Sequence, residues 1–319
     1  MLDFSKPELE ECRAFCARGA LRWLRLDFQK RWLVWLIRRL SSLPYVPPSP
    51  LGKFGLSAEA SRVTAGGHSV GVRIIRPKEP PQGIVVDVHG GAWTIGRPIQ
   101  NDLLNGRLAL ARFAVISVDY RYAPENPFQE LIDDCETALS WALSEGERAF
   151  GVSDVLLQGD SAGAHLSLAA ALRCRAANPD FHRLKGMALY YGCYDLSATP
   201  SVRSATRETL VLYGPNLAAF LARITGGLSD AERRDPAISP MYANLAGLPP
   251  ALLMVGTADP LVDDSTMLAD RLRTQGVPTE LIIVPDAPHG FNRFPLTIAD
   301  RVNAYASQWM TNRIPSSLS

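Results

Sequence analysis

The stretch Gly159-Asp160-Ser161-Ala162-Gly163 constrains this chain more than any other. An apolar run, Val155-Leu156-Leu157-Gln158, precedes it, and an alanine- and leucine-rich run from Ala164 to Cys174 follows. A Gly-x-Ser-x-Gly between a strand and a helix marks a sharp turn that exposes the serine hydroxyl at the end of a sheet. Side chains at Gly159 and Gly163 would crowd such a turn, and glycine also takes conformations that other residues avoid. Alone, the pattern is weak. Its flanks and the rest of the chain give it weight.

Those flanks repeat along the sequence. Ala58 to Thr64 and Val70 to Arg76 alternate as a hairpin around Ala65-Gly66-Gly67-His68. Short apolar strands are expected at Gly83 to Val88, Phe113 to Val118, Val155 to Gln158, Met187 to Tyr191, Ala251 to Val255 and Leu281 to Val284. Helical patterns fall between or after them at Asn101 to Ala111, Leu131 to Leu143, Asp263 to Gln275 and Ile298 to Arg313. Apolar strands alternating with helices make an α/β protein with a mostly parallel central sheet and helices on both faces. The alternation lapses from about Leu196 to Ala246, which reads as a helical insertion with apolar faces at Val211, Leu212, Leu217, Phe220 and Leu221. Residues 1 to about 40 read as helical throughout, and the prolines between Pro44 and Pro50 end that segment.

With 319 residues, 47% of them hydrophobic, the chain can bury one large core, and a net charge of +1 advertises neither nucleic acid nor a strongly acidic partner. Cys12, Cys16, Cys135, Cys174 and Cys193 are scattered, lack zinc spacing, and read as packed, reduced thiols. The opening residues lack the apolar core of a signal peptide, and the run Trp32 to Ile37 is too short to span a bilayer. A soluble cytoplasmic protein is expected.

The serine needs a base. Of five histidines, His289 follows the strand Leu281 to Val284, in a loop expected at the same sheet edge as Ser161. The base needs an acid to orient it, and in this chain order Asp259, after the strand Ala251 to Val255, fits best. Asp263 is second and reads better as a helix cap; Asp286 lies too near His289 along the chain. An oxyanion needs N–H donors. The Gly90 and Gly91 amides, in Val88-His89-Gly90-Gly91-Ala92-Trp93, with that of Ala162, are expected to form that hole, His89 orienting its loop. His165 is expected to pack inside. No cofactor and no metal is required by this chemistry.

At these residues the chain resembles the hormone-sensitive-lipase-like (bacterial family IV) esterases of the α/β-hydrolase superfamily. Four matches carry the resemblance, in family order: His89-Gly90-Gly91-Ala92-Trp93, Tyr120-Arg121-Tyr122-Ala123-Pro124-Glu125, Gly159 to Gly163, and Asp259-Pro260-Leu261 with His289-Gly290-Phe291. Ala92 stands in place of a third glycine, Ala164 in place of a common glycine, and Tyr122 where leucine is common. The resemblance implies an α/β-hydrolase fold with a helical cap: N-terminal cap helices over residues 1–55, and a catalytic domain over 56–319 with a cap insertion at about 196–246. It implies a serine carboxylester hydrolase that cleaves short- to medium-chain acyl esters through an acyl-enzyme, with a small-molecule ester as partner. Family members often form homodimers, and no residue here argues for one. It also places Arg121 and Glu125 in buried polar contacts.

A ligand-binding protein on a hydrolase scaffold is the alternative; the retained Ser161, Asp259 and His289 weigh against it. The basic helix from Leu21 to Leu40, with Trp23, Trp32 and Trp35, admits membrane-surface contact. The preferred reading is a cap helix whose apolar face covers the pocket and whose arginines are solvated.

Overall fold

The computed structural model describes residues 2–18, 25–41 and 49–315. Trp23 and the start of the basic helix at Leu21 lie outside the described residues. Helix α1 (Lys6–Ala17) begins where the Glu8 carboxylate accepts the Ser5 N–H at 2.7 Å. The expectation of one helical segment to residue 40 does not hold. Leu26 is extended, its N–H bonded to Val211 O at 2.7 Å, and helix α2 (Arg31–Ser41) starts only after a turn at Asp27–Lys30. A long-range backbone bond that no local periodicity encodes has taken Leu26 out of the helix.

The sheet begins with β1 (Ala58–Ala65) and β2 (His68–Ile75), an antiparallel hairpin. Gly66 and Gly67 close it with φ of 56° and 79°, the left-handed pair that a two-residue hairpin turn requires. Then follow β3 (Gly83–Val88), α3 (Asp102–Leu110), β4 (Phe113–Asp119), α4 (Phe128–Phe150), β5 (Val155–Asp160), α5 (Ala162–Ala177) and β6 (Leu184–Tyr190). The insertion holds the short helices α6 (Pro200–Arg203), α7 (Leu217–Ile224) and α8 (Asp230–Arg233). The chain ends with β7 (Ala251–Gly256), α9 (Val262–Thr274), β8 (Thr279–Val284) and α10 (Thr297–Thr311).

The strand order is β1-β2-β4-β3-β5-β6-β7-β8, and from β4 onward every pairing is parallel. Strands β3, β5 and β7 are buried at every residue, as continuous apolar runs in the middle of a parallel sheet must be. Successive residues serve opposite faces. Ile84 and Val86 join the core under α4 and α5, while Val85 joins the one under α3 and α10. Because the strands run parallel, the residues that follow β3, β5, β7 and β8 all emerge at one edge. Among the described residues no helix is long and apolar enough to cross a membrane.

Candidate active site

Ser161 leaves β5 with φ 54° and ψ −120°, and α5 starts at the next residue. A non-glycine residue held there stores about 1–3 kcal/mol, which its surroundings must offset. Its N–H donates to Tyr190 O at 2.9 Å, and its carbonyl accepts from Ala164 at 3.1 Å. The glycines of the motif serve close approach. A Cβ at Gly163 would stand 2.0 Å from Val88 O, and one at Gly159 would stand 2.5 Å from Gly163 O. The left-handed conformation falls on the serine and not on its glycines.

The loops after β7 and β8 are stitched together. Thr257 N–H donates to Val284 O at 2.9 Å, Ala258 N–H to Ala287 O at 3.1 Å, and the Thr257 hydroxyl accepts Asp286 N–H at 2.8 Å. The structure thereby brings Asp259 and His289 together, with His289 Nδ1 2.8 Å from Asp259 Oδ2. A carboxylate only accepts, so Nδ1 carries the proton. His289 Nε2 lies 3.0 Å from Ser161 Oγ, bare and able to accept the hydroxyl proton. Asp259 is 2% exposed, and its other oxygen accepts Leu261 N–H at 2.9 Å. The Tyr191 ring meets the imidazole edge-on, centroids 4.8 Å apart, and fixes its plane. Asp263 is elsewhere: its carboxylate accepts Ser201 N–H at 2.8 Å, and Leu261 holds the N-cap position expected of it. Asp286 faces Arg13 of α1, at 2.8 Å.

Beyond β3 the chain folds tightly back. Thr94 and Ile95 N–H groups both donate to Gly91 O, at 3.0 and 2.9 Å. A Cβ on Gly91, at φ 131°, would stand 1.9 Å from Ile95 O, and one on Gly90 2.5 Å from Asp160 Oδ2. These glycines therefore admit the protein's own backbone and carboxylate. No described residue accepts a hydrogen bond from the amides of Gly90, Gly91 or Ala162. Ala92 has φ 51°, so its methyl is carried in a conformation where glycine is relaxed. His89 donates from Nδ1 to Gly90 O at 2.7 Å and stacks on Tyr120 at 4.3 Å, and Tyr120 donates its hydroxyl to His89 O at 2.8 Å. Burial pushes the His89 imidazole below its ordinary range. His165 is buried as expected. It accepts from Trp93 Nε1 at 3.3 Å and donates to Ile238 O at 2.8 Å, and desolvation lowers it to about 4.

Sequence reasoning passed over the layer beneath. Asp87, fully buried, accepts from Asn101 at 2.9 Å, Asn105 at 2.8 Å, Ser117 at 2.5 Å and Gln158 at 2.9 Å. Asp160 accepts from Asn101 at 3.2 Å and from Arg293 at 2.8 Å. The network supports the turn at Gly90 from below. An aspartate inside the apolar strand Gly83–Val88 was its one signal in the sequence. Arg121 is bonded to Asp134 at 2.9 Å, but Glu125 is exposed and paired with Arg38 at 3.0 Å, not buried. Among the described residues no cluster of three or more His, Cys, Asp or Glu could hold a metal.

Above Ser161 lies a cavity of about 240 Å³. Its far wall comes from Leu26, Phe28, Val211 and Leu212. Leu26 pairs with Leu212 in a short parallel bridge, and Phe28 packs on Phe220 of α7 at 5.6 Å.

An edge of parallel strands that presents a strained serine, an imidazole and a carboxylate in bonded series defines a class, and comparison with known proteins agrees. The family described as alpha/beta hydrolase fold matches residues 85–293. Carboxylesterase NlhH of Mycobacterium tuberculosis is 35% identical over 222 residues, 67% of this chain and 68% of that protein. A hyperthermophilic esterase from the archaeon Pyrobaculum calidifontis superposes with a TM-score of 0.79 at 26% identity, covering 98% of this chain and 99% of the other. An esterase from the bacterial hormone-sensitive lipase family superposes with a TM-score of 0.75 at 25% identity, covering 98% and 100%. The chain belongs to the α/β-hydrolase family. Within it, the chain is a carboxylesterase-type hydrolase of the hormone-sensitive-lipase-like group.

Proposed function

We propose that the chain cleaves short- to medium-chain acyl esters through a covalent acyl-enzyme, with Ser161 as nucleophile, His289 as general base and acid, and Asp259 as its orienting carboxylate. One geometry carries the assignment: the unbroken series Ser161 Oγ, His289 Nε2 at 3.0 Å, and His289 Nδ1 to Asp259 at 2.8 Å. As Ser161 attacks the ester carbonyl, His289 Nε2 takes the hydroxyl proton and Asp259 stabilises the imidazolium. The oxyanion forms against the free amides of Gly90, Gly91 and Ala162, where one donor contributes about 2.7–4 kcal/mol to the transition state. His289 returns its proton to the departing alkoxide. Water then attacks the acyl-enzyme with His289 again as base, and Ser161 leaves protonated.

The far wall belongs to the same proposal. Residues 1–55 and the insertion at 196–246 together cap the cavity through Leu26, Phe28, Val211 and Leu212, and a cavity of about 240 Å³ favours acyl groups of modest length. The test is hydrolysis of p-nitrophenyl esters from acetate to long chains by the native chain and Ser161→Ala, with fluorophosphonate labelling read by mass spectrometry. Short-chain activity lost in the variant, and a label on Ser161, are expected. A folded protein that labels at Ser161 but cleaves no ester would move the substrate to amides or carbamates. One that neither labels nor cleaves would be a binding protein.

A further inference from the structure

Helix α2 buries Val34 and half-buries Leu33 and Ile37, yet its bulkiest apolar side chains face water. A surface helix ordinarily buries its apolar stripe and solvates its charges. Here Arg38 turns inward, donating from Nε to Thr94 O at 2.5 Å and from Nη2 to Ala123 O at 3.2 Å, over the Tyr122 ring at 4.9 Å. Trp32 and Trp35 turn outward, each 63% exposed, with Leu36 and Leu40 beside them. Four of the eight large apolar side chains left exposed among the described residues sit on these 11 residues, so the patch is a property of this helix. Of the apolar face expected over the pocket, only Val34 is buried, and it lines the neighbouring cavity; Leu26 and Phe28, before the helix, cover the pocket itself.

A second cavity, of about 310 Å³, opens between α2 and the segment at Thr94 and Pro124. Arg31, Arg38 and Arg223 line it against one carboxylate, Glu125, which Arg38 already holds. Arg223 is committed only to uncharged oxygens, Gln29 Oε1 at 2.9 Å and Phe28 O at 2.5 Å. Gathered cations with one counter-charge attract an anion. No acidic residue occurs in α2 to oppose it.

We propose that α2 seats this protein on an anionic lipid surface. Trp32, Trp35, Leu36 and Leu40 enter the interface, where tryptophan is favoured, and the Arg31–Arg223 cavity takes an anionic headgroup. The seat adjoins the catalytic cavity, since Thr94 lines one cavity and Ile95 the other.

Co-sedimentation with vesicles of phosphatidylcholine alone, and with about a third phosphatidylglycerol, tests this at low and high salt. Binding to the anionic vesicles, a blue shift of tryptophan emission, and weakening at high salt are expected. Trp32→Gln/Trp35→Gln should abolish binding without changing the melting temperature. Lys30→Gln/Arg31→Gln, which leaves the apolar face intact, should weaken it roughly tenfold. Failure to bind anionic vesicles at low salt overturns the proposal. So does equal binding by the native chain and a folded tryptophan variant. A tryptophan variant that dissociates a dimer and leaves vesicle binding unchanged would give the face to a second copy of the chain.

Discussion

Below the catalytic cavity, Ser161, Asp259 and His289 stand on loops that leave parallel strands of one sheet. Across from them, Leu26, Phe28, Val211 and Leu212 come from two segments far apart in the chain, neither part of that sheet. The lower side is fixed by backbone contacts so tight that Gly91, Gly163 and Gly256 have no room for a methyl group. The upper side is joined by a single bridge, two backbone bonds of 2.7 and 3.1 Å, packed rings, and side-chain bonds from Asn216 to Asp27 and from Arg223 to Gln29 and Phe28 O. Chemistry that needs its groups held within a fraction of an ångström is placed on the first kind of structure. Selectivity, which can drift, is left to the second.

The largest expected effect tests the lower side directly. Ser161→Ala should lower kcat for a soluble ester roughly ten-thousandfold or more, with the melting temperature unchanged. A fall of only tenfold would mean that another group attacks. Next comes Gly163→Ala. Its Cβ would lie 2.0 Å from Val88 O and 2.5 Å from His89 O, both backbone atoms that cannot swing aside. A loss of at least about 3 kcal/mol, read from the urea midpoint, is expected. A Gly163→Ala variant of native stability would show that the lower side yields more than its contacts imply.

The same contrast explains what the sequence made legible. The central strands were readable because buried parallel strands are continuous apolar runs, and Ser161 and Asp259 because each follows such a run; His289 follows the shorter apolar run Leu281-Ile282-Ile283-Val284 of the edge strand β8, at the same edge. The reason for the glycines was half right. Crowding holds at Gly159 and Gly163, but the left-handed backbone belongs to Ser161. The upper side was not readable. Periodicity in α2 counts apolar residues without saying which of them face the core, so it cannot tell buried Val34 from exposed Trp32 and Trp35. Nothing local at Leu26 announces a partner at Leu212. Asp263 was given a capping role from its position, whereas its carboxylate serves Ser201, which only the folded insertion brings near.

His165 connects the two sides, accepting from Trp93 of the loop after β3 and donating to Ile238 O of the insertion. Tryptophan N–H only donates, so the neutral imidazole is required here, and burial lowers it from 6.5 to about 4. A histidine held neutral stabilises the fold fully above its unfolded value, and that stability is lost as pH falls from 6.5 toward 4. Between pH 7 and 4.5 the native chain should lose the equivalent of roughly 2–3 kcal/mol relative to His165→Gln, read from the two urea midpoints. Glu8, held down at about 2 chiefly by Arg301, acts only below 4.5, whereas buried Asp264, pushed up to about 7, adds stability as pH falls through the same window, so the difference between the two chains isolates histidine. If the native chain and His165→Gln respond alike, His89, shifted the same way by burial, is the group responsible.

The smallest effect sharpens the comparison most, because it asks whether strain is spent alike on both sides. Val211 has φ 67°, a left-handed conformation that a β-branched residue enters at a cost of about 1–3 kcal/mol. Its carbonyl accepts the Leu26 N–H at 2.7 Å, so that conformation aims the bond joining the two segments. Val211→Gly relieves the strain but adds freedom to the unfolded chain, for a net gain of at most about 1 kcal/mol. It also removes an isopropyl group from the cavity wall, and cleavage of longer or branched acyl esters should rise severalfold relative to acetate. Such a variant, slightly more stable and broader in substrate, would mean that valine is kept at 211 for its shape. If activity on acetate fell with stability instead, the joint between Leu26 and Val211 would be part of the catalytic framework, and the upper side would be as exacting as the lower.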